Sequence, residues 1–138
     1  MSSALYAAIA IVAALGAAAL VGWLINRRSG VLRQTTTAAV DVSDLGLSRT
    51  GPTIVHFSAV WCGPCAGVRR TVDQICAEIP EVAHAEIDMD ANPAAARRLS
   101  VLSLPTTFVF DADGRQRYRS AGVPKAADLR SALAPLLA

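Results

Sequence analysis

A chain of 138 residues holds one small domain and a short appendage, and leaves no room for a second core of ordinary size. The net charge of +2 belongs to a local flank, because apart from Arg27, Arg28 and Arg33 the chain carries 10 basic against 11 acidic residues. That balance excludes an electrostatic footprint for nucleic acid. Hydrophobic residues make up 53%, high for a soluble domain, and the surplus sits at the N-terminus.

Residues 4–25 contain no charge in 22 positions. As a helix they would extend roughly 33 Å, enough to cross a hydrocarbon core about 30 Å thick. Tyr6 and Trp23 fall near the two ends, where amphipathic rings favour the headgroup region. A cleaved signal peptide fits less well. Met1-Ser2-Ser3 carries no Lys or Arg, the apolar run is long, and the cleavage-like Thr37-Ala38-Ala39 lies well past it. Residues 1–28 therefore read as a retained membrane anchor with a basic flank. The arginines on its C-terminal side place the rest of the chain on the cytoplasmic face of a cell membrane. Residues 29–48 form a polar, small-residue tether with weak strand character at 32–37 that would add an edge strand. Residues 49–138 form the folded domain.

Within that domain, Thr53-Ile54-Val55-His56-Phe57 follows Gly51-Pro52 and reads as a buried strand. Cys65, Val68, Val72, Ile75, Cys76 and Ile79 recur at three- and four-residue spacing as one face of a helix that Pro80 ends. A second strand is expected over 82–88. Asn92-Pro93 opens a short helix through Leu99, as a cap followed by proline at the first helical position. A third strand spans 106–110, and Asp113-Gly114 turns it into a fourth over 115–120. Pro124 opens a terminal helix carrying Leu129, Leu133, Leu136 and Leu137. Alternating strands and helices followed by a hairpin and a helix predict an α/β fold, a mixed sheet flanked by helices on both faces.

Cys62-Gly63-Pro64-Cys65 has two principal uses, metal ligation and dithiol exchange. Zinc needs about four ligands, and Cys76 lies about 16 Å further along the same helix, too far to join the pair or to bridge Cys65. His56 and His84 have no ligand-pair spacing, so no metal is expected. Redox chemistry suits a pair placed where a strand turns into a helix. Cys62 then lies at the helix N-terminus, whose free N–H groups stabilise a thiolate, and Cys65 lies one turn inside. Cys62 would attack a substrate disulfide and Cys65 would resolve the mixed disulfide.

Trp61-Cys62-Gly63-Pro64-Cys65 after a strand, with Leu104-Pro105-Thr106 about 40 residues on, resembles the thioredoxin family. The resemblance covers residues 50–138, with a weaker extension to 33. It implies a thioredoxin fold, a cis Leu104–Pro105 bond facing the cysteines, and Leu104 backbone groups that bind an extended substrate segment. It further implies that Gly122 lines the same groove and that Trp61 is an exposed aromatic neighbour, with Gly63 and Pro64 completing the surface. The activity implied is that of a protein-disulfide reductase with no cofactor beyond the Cys62–Cys65 disulfide. Its partners would be disulfide-containing proteins and a thioredoxin reductase or equivalent electron donor.

The departures concern protons. The family usually carries a buried Asp before the motif and a Lys on the next strand, and here the aligned residues are His56 and His84. His56 reads either as the proton acceptor for Cys65 or as a neutral core residue. Cys76 reads as a small buried apolar side chain or as a regulatory thiol. Two other functions share the fold: an extracytoplasmic protein keeping cytochrome-maturation or other exported cysteines reduced, and a non-enzymatic tethered binding module. Only 18 residues separate Cys65 from His84, so an insertion common in the extracytoplasmic type is missing.

Overall fold

The computed structural model describes residues 2–35 and 40–138. Helix α1 (Ser3–Arg27) extends over the charge-free run and buries none of its residues in the rest of the chain. It is long and apolar enough to cross a membrane. The Arg27 guanidinium stacks on Trp23 at 4.2 Å, pairing a cation with an exposed aromatic at the helix end.

Five strands form one sheet in the order β1-β5-β4-β2-β3. They are β1 (Arg33–Gln34), β2 (Thr53–Ser58), β3 (Ala83–Asp88), β4 (Thr106–Phe110) and β5 (Gln116–Ala121). β2 and β3 run parallel, and the pairs β1–β5, β2–β4 and β4–β5 are antiparallel. The helices α2 (Cys65–Glu78), α3 (Pro93–Arg98) and α4 (Ala126–Leu137) complete the mixed sheet flanked by helices. Part of the strand-like stretch, Thr36 and Thr37, and the small residues Ala38 and Ala39 lie outside the described residues.

Strand alternation divides the core in two. Val55, Phe57, Phe108 and Phe110 point to one face, where Ala95, Ala96 and Leu99 of the α3 region cover them. Ile54 and Val109 point to the other, against Val68, Val72 and Ile75 of α2 and Leu129 and Leu133 of α4. Because both faces are covered and both edges paired, every residue of β2 is buried.

Several element ends shift by one residue, such as β3 starting at Ala83 and α3 ending at Arg98, and two segments differ by more. Leu45, placed in the tether, is buried in the α3-side core, with Val40, Val42 and Leu47 packed around it. This segment therefore forms part of the fold, and the apolar side chains that dock it are too widely spaced to show a period. At the other end, Lys125 is extended (φ −76°, ψ 141°), so the helix begins at Ala126 and not at Pro124.

The exit from α1 is short. Immediately after the C-cap Arg28, Ser29 and Gly30 pack against the segment following β5. The Gly30 N–H donates to the Ala121 carbonyl at 2.6 Å. Gly30 and Gly122 both have positive φ (+80° and +96°), and a Cβ on either would collide with the other segment. A Leu45→Ala substitution is expected to lower unfolding free energy by about 2–4 kcal/mol. Chemical denaturation of the full chain would measure this, whereas a loose tether would leave stability unchanged.

Candidate active site

The carboxyl end of β2, the amino end of β4 and the carboxyl end of β5 meet at one edge of the sheet, since Phe57 pairs with Thr106 and Thr106 with Ala121. Each strand end delivers one part of the site. β2 runs through a turn, in which the Cys62 N–H donates to the Ala59 carbonyl, into α2. Cys62 and Cys65 are joined by a disulfide, with Cα atoms 5.5 Å apart. Cys65 is buried in the first turn of α2, its Sγ 3.9 Å from the Phe57 carbonyl oxygen, and Cys62 is half-buried. The peptide bond Leu104–Pro105 at the start of β4 is cis. The Pro105 carbonyl accepts from the Gly122 N–H at 2.9 Å, which ties the β4 and β5 ends together.

Around this edge the surface is apolar and open. Trp61 is 67% exposed and its indole N–H donates to Asp90 at 3.0 Å; Val60 and Leu102 are almost fully exposed. Gly63 and Pro64 are exposed between the cysteines, while Pro105 is buried with Leu104 and Gly122 half-buried beside it. A Cβ placed on Gly67, in the first turns of α2, would touch the Val123 side chain, so the β5–α4 loop borders the cysteine helix directly.

The sequence model of the thioredoxin family matches residues 36–135. The chain belongs to the thioredoxin family. It is 43% identical over 88 residues to thioredoxin of Mycolicibacterium smegmatis, covering 61% of this chain and 78% of that protein. Over 85 residues it is 37% identical to the bifunctional thioredoxin reductase/thioredoxin of Mycobacterium leprae, covering 61% of this chain and 18% of that protein. Among solved structures, thioredoxin of Fasciola hepatica superimposes with a TM-score of 0.54 and 31% identity over 86% of this chain and 93% of that one. This thioredoxin-family chain is a protein-disulfide oxidoreductase, and the Cys62–Cys65 pair is its redox centre.

The two histidines meet beneath the centre. His56 Nδ1 and His84 Nε2 are 2.8 Å apart in a hydrogen bond, with rings stacked at 4.9 Å. His56 is fully buried, and burial lowers its pKa from 6.5 to about 4, opposed by the charge of Glu86. Glu86 stands 3.5 Å from His56 Nε2 and is gripped by Arg69, with the Ser58 hydroxyl donating at 2.9 Å. The Arg69 hydrogen bonds hold its pKa down to about 2. Asp73 lies 3.3 Å from His84 Nδ1. Cys76 is half-buried against the α2-side core, and burial raises its thiol pKa.

Sequence reasoning missed Glu86, Arg69, Asp73 and Asp90. Two signals were present: Glu86 is two residues from His84 and so shares its face, and Arg69 and Asp73 are one helical turn apart. A protonation consequence follows for stability. Between about pH 6.5 and pH 4 the unfolded chain binds a proton at His56 that the folded chain refuses, so stability is full above this window and falls as pH drops through it. The expected loss is about 3 kcal/mol. Denaturant titrations at the two ends of the window should show it in the native chain and show most of it gone in His56→Leu.

Proposed function

We propose that this protein is a membrane-tethered disulfide reductase facing the cytoplasm, in which Cys62 attacks and Cys65 resolves. The observation that carries the reading is the unequal burial of the pair: the half-buried Cys62 can meet a substrate sulfur, and the buried Cys65 cannot. The Cys62 thiolate bonds to one substrate sulfur, and the other leaves as a thiolate. Cys65 then loses its proton and attacks Cys62 Sγ, releasing the second substrate thiolate and closing the Cys62–Cys65 disulfide. Two electrons pass to the substrate, with no cofactor beyond the cysteine pair.

Substrate binding is assigned to the open edge around Trp61, Gly63 and Pro64, where an extended segment would pair with the Leu104 backbone between Pro105 and Gly122. The reducing role is supported by the Gly63-Pro64 dipeptide, which in the family accompanies reducing members. A reductase of the thioredoxin-reductase class would restore the dithiol; the Mycobacterium leprae relative is named for both activities in one chain. The tether is supported by α1, and its orientation by Arg27, Arg28 and Arg33 on one side of it. With Ser29 and Gly30 packed at Gly122, a bilayer around α1 would lie next to the groove, which favours disulfides in membrane proteins close to the surface.

Two measurements on the full chain test this. Fusing green fluorescent protein or alkaline phosphatase to Ala138 should give fluorescence without phosphatase activity. Phosphatase activity without fluorescence would transfer the protein to the extracytoplasmic reading. Separately, Cys65→Ser should accumulate mixed disulfides with membrane proteins through Cys62, and adding Cys62→Ser should abolish them. Trapping that survives loss of Cys62 would overturn the assignment of the attacking thiol.

A further inference from the structure

Helix α3 ends in a turn that its sequence disfavours. The Ser100 N–H donates to the Arg97 carbonyl at 3.0 Å and the Val101 N–H to the Ala96 carbonyl at 2.8 Å, the bond pair of a Schellman motif. That motif needs a left-handed residue where Ser100 stands. Ser100 has φ +53° and is the one non-glycine residue with positive φ among the described residues. Glycine adopts this conformation freely, whereas a Cβ crowds the following carbonyl. Such a residue persists only where its surroundings hold it. The turn matters because of where it sends the chain. Val101 is buried in the α3-side core, Leu102 is 90% exposed at the cysteine edge, and the cis Leu104–Pro105 bond follows.

The group that holds the turn is Arg119 on β5. It pairs in register with Phe108, so the two side chains share the α3-side face. The guanidinium lies over the Phe108 ring, 5.1 Å from its centroid. From there it donates to the Leu99 carbonyl at 2.8 Å and to the Ser100 carbonyl. Both oxygens belong to a helix end, where carbonyls lack intrahelical partners and a cation is favoured. No carboxylate forms an ion pair with Arg119 among the described residues. Its register partner on β1 is Arg33, a like charge. The guanidinium is thus committed to the turn. At the far end of the same loop the Thr106 hydroxyl donates to the Ser103 carbonyl at 2.6 Å.

We propose that Arg119 is a positioning residue for the substrate groove, clamping the turn at Leu99 and Ser100 so that residues 102–104 stand where an extended peptide pairs with them. The inference rests on the groove reading above, in which the Leu104 backbone receives the substrate segment. Arg119 touches neither substrate nor cysteines and acts through that loop.

The division of labour follows from the fold. Cys62 and Cys65 are set by the β2–α2 connection, which the Arg119 side chain does not contact, so thiol exchange as such is independent of the clamp. Recognition of a chain long enough to reach residues 102–104 depends on it. Lysine at position 119 would keep the charge but lose the planar fork that spans two carbonyls while lying flat on Phe108. Glutamine would lose the charge as well. Glycine at position 100 would hold the left-handed turn without help and make the clamp dispensable.

The test compares two disulfides on the pre-reduced full chain in detergent micelles, with the remaining protein thiols counted after an acid quench. One is 2-hydroxyethyl disulfide, too small to reach the loop. The other is an uncharged linear peptide dimer joined by one disulfide, which excludes direct attraction to the guanidinium. Arg119→Gln should lower the second-order rate constant for the peptide about 10-fold and keep that for the small disulfide within about 2-fold of native. Arg119→Lys should lose about 3-fold on the peptide. Adding Ser100→Gly to Arg119→Gln should restore the peptide rate. Hydrogen exchange at the Ser100 and Val101 amides should accelerate in Arg119→Gln and return to native in the double variant, with β2 unchanged. An equal loss on both disulfides would show a general disturbance and overturn the clamp. A native peptide rate in Arg119→Gln, or a loss that Ser100→Gly does not repair, overturns it too. Where Arg119→Gln fails to fold, Arg119→Lys with and without Ser100→Gly carries the same comparison. A native chain that reacts no faster with the peptide than with the small disulfide would overturn the groove reading itself.

Discussion

β2 is buried on both faces and hydrogen-bonded along both edges, and this constraint decides where chemistry can take place. Six consecutive residues with no access to solvent leave its carboxyl end as the only point where the strand can present reactive groups. The turn after Ser58 carries Cys62 outward, and α2 brings Cys65 back over Phe57. The antiparallel partner β4 must then begin at the same level, which sets the cis Leu104–Pro105 bond beside the cysteines, and β5 must end there, which sets Gly122. The groove is a consequence of strand register and not of a pocket carved into the surface. For the same reason the proposed substrate segment would meet it at the carboxyl ends of the parallel strands.

The same burial forces a choice of electrostatics. A charged side chain at position 56 would have to be desolvated completely, at a cost of several kcal/mol that only a well-placed counter-charge offsets. Two imidazoles meet this constraint differently from the Asp and Lys that the resemblance to the family places here. They hydrogen-bond to each other, and the formal charges of Glu86, Arg69 and Asp73 sit one layer outward, where solvent reaches them. Acid sensitivity is the corresponding disadvantage, since protonating His56 means burying a cation.

Much of this was legible because the informative residues are local. A strand, a Cys-x-x-Cys turn and a helical stripe are contiguous, and the register of β4 follows from Pro105 and the hairpin at Gly114. His56 and His84 stood out only through the family resemblance, as occupants of two aligned positions. The polar row of His56, Thr107 and Ser120 was not legible. Thr107 and Ser120 look like ordinary strand residues until the pairing of β2, β4 and β5 sets them beside His56, and that pairing is non-local. Leu45 escaped for a related reason. Its segment has no periodicity, and its burial depends on α3 and the phenylalanine face of the sheet being present to receive it.

The junction between α1 and the domain adds a geometrical argument about substrate choice. A flexible linker would let the domain sample many orientations, and its effect would be an increased effective concentration near the membrane. Here the chain passes from the helix C-cap through Ser29 and Gly30 straight into contact with Gly122, and both glycines are needed for the backbones to approach so closely. β1 follows within three residues and pairs with β5, adding a second attachment. Helix α1 thus leaves from the Gly122 side of the domain and from a strand pair that belongs to the sheet. Under the tethered reading, the groove is then oriented towards the lipid surface as well as held near it.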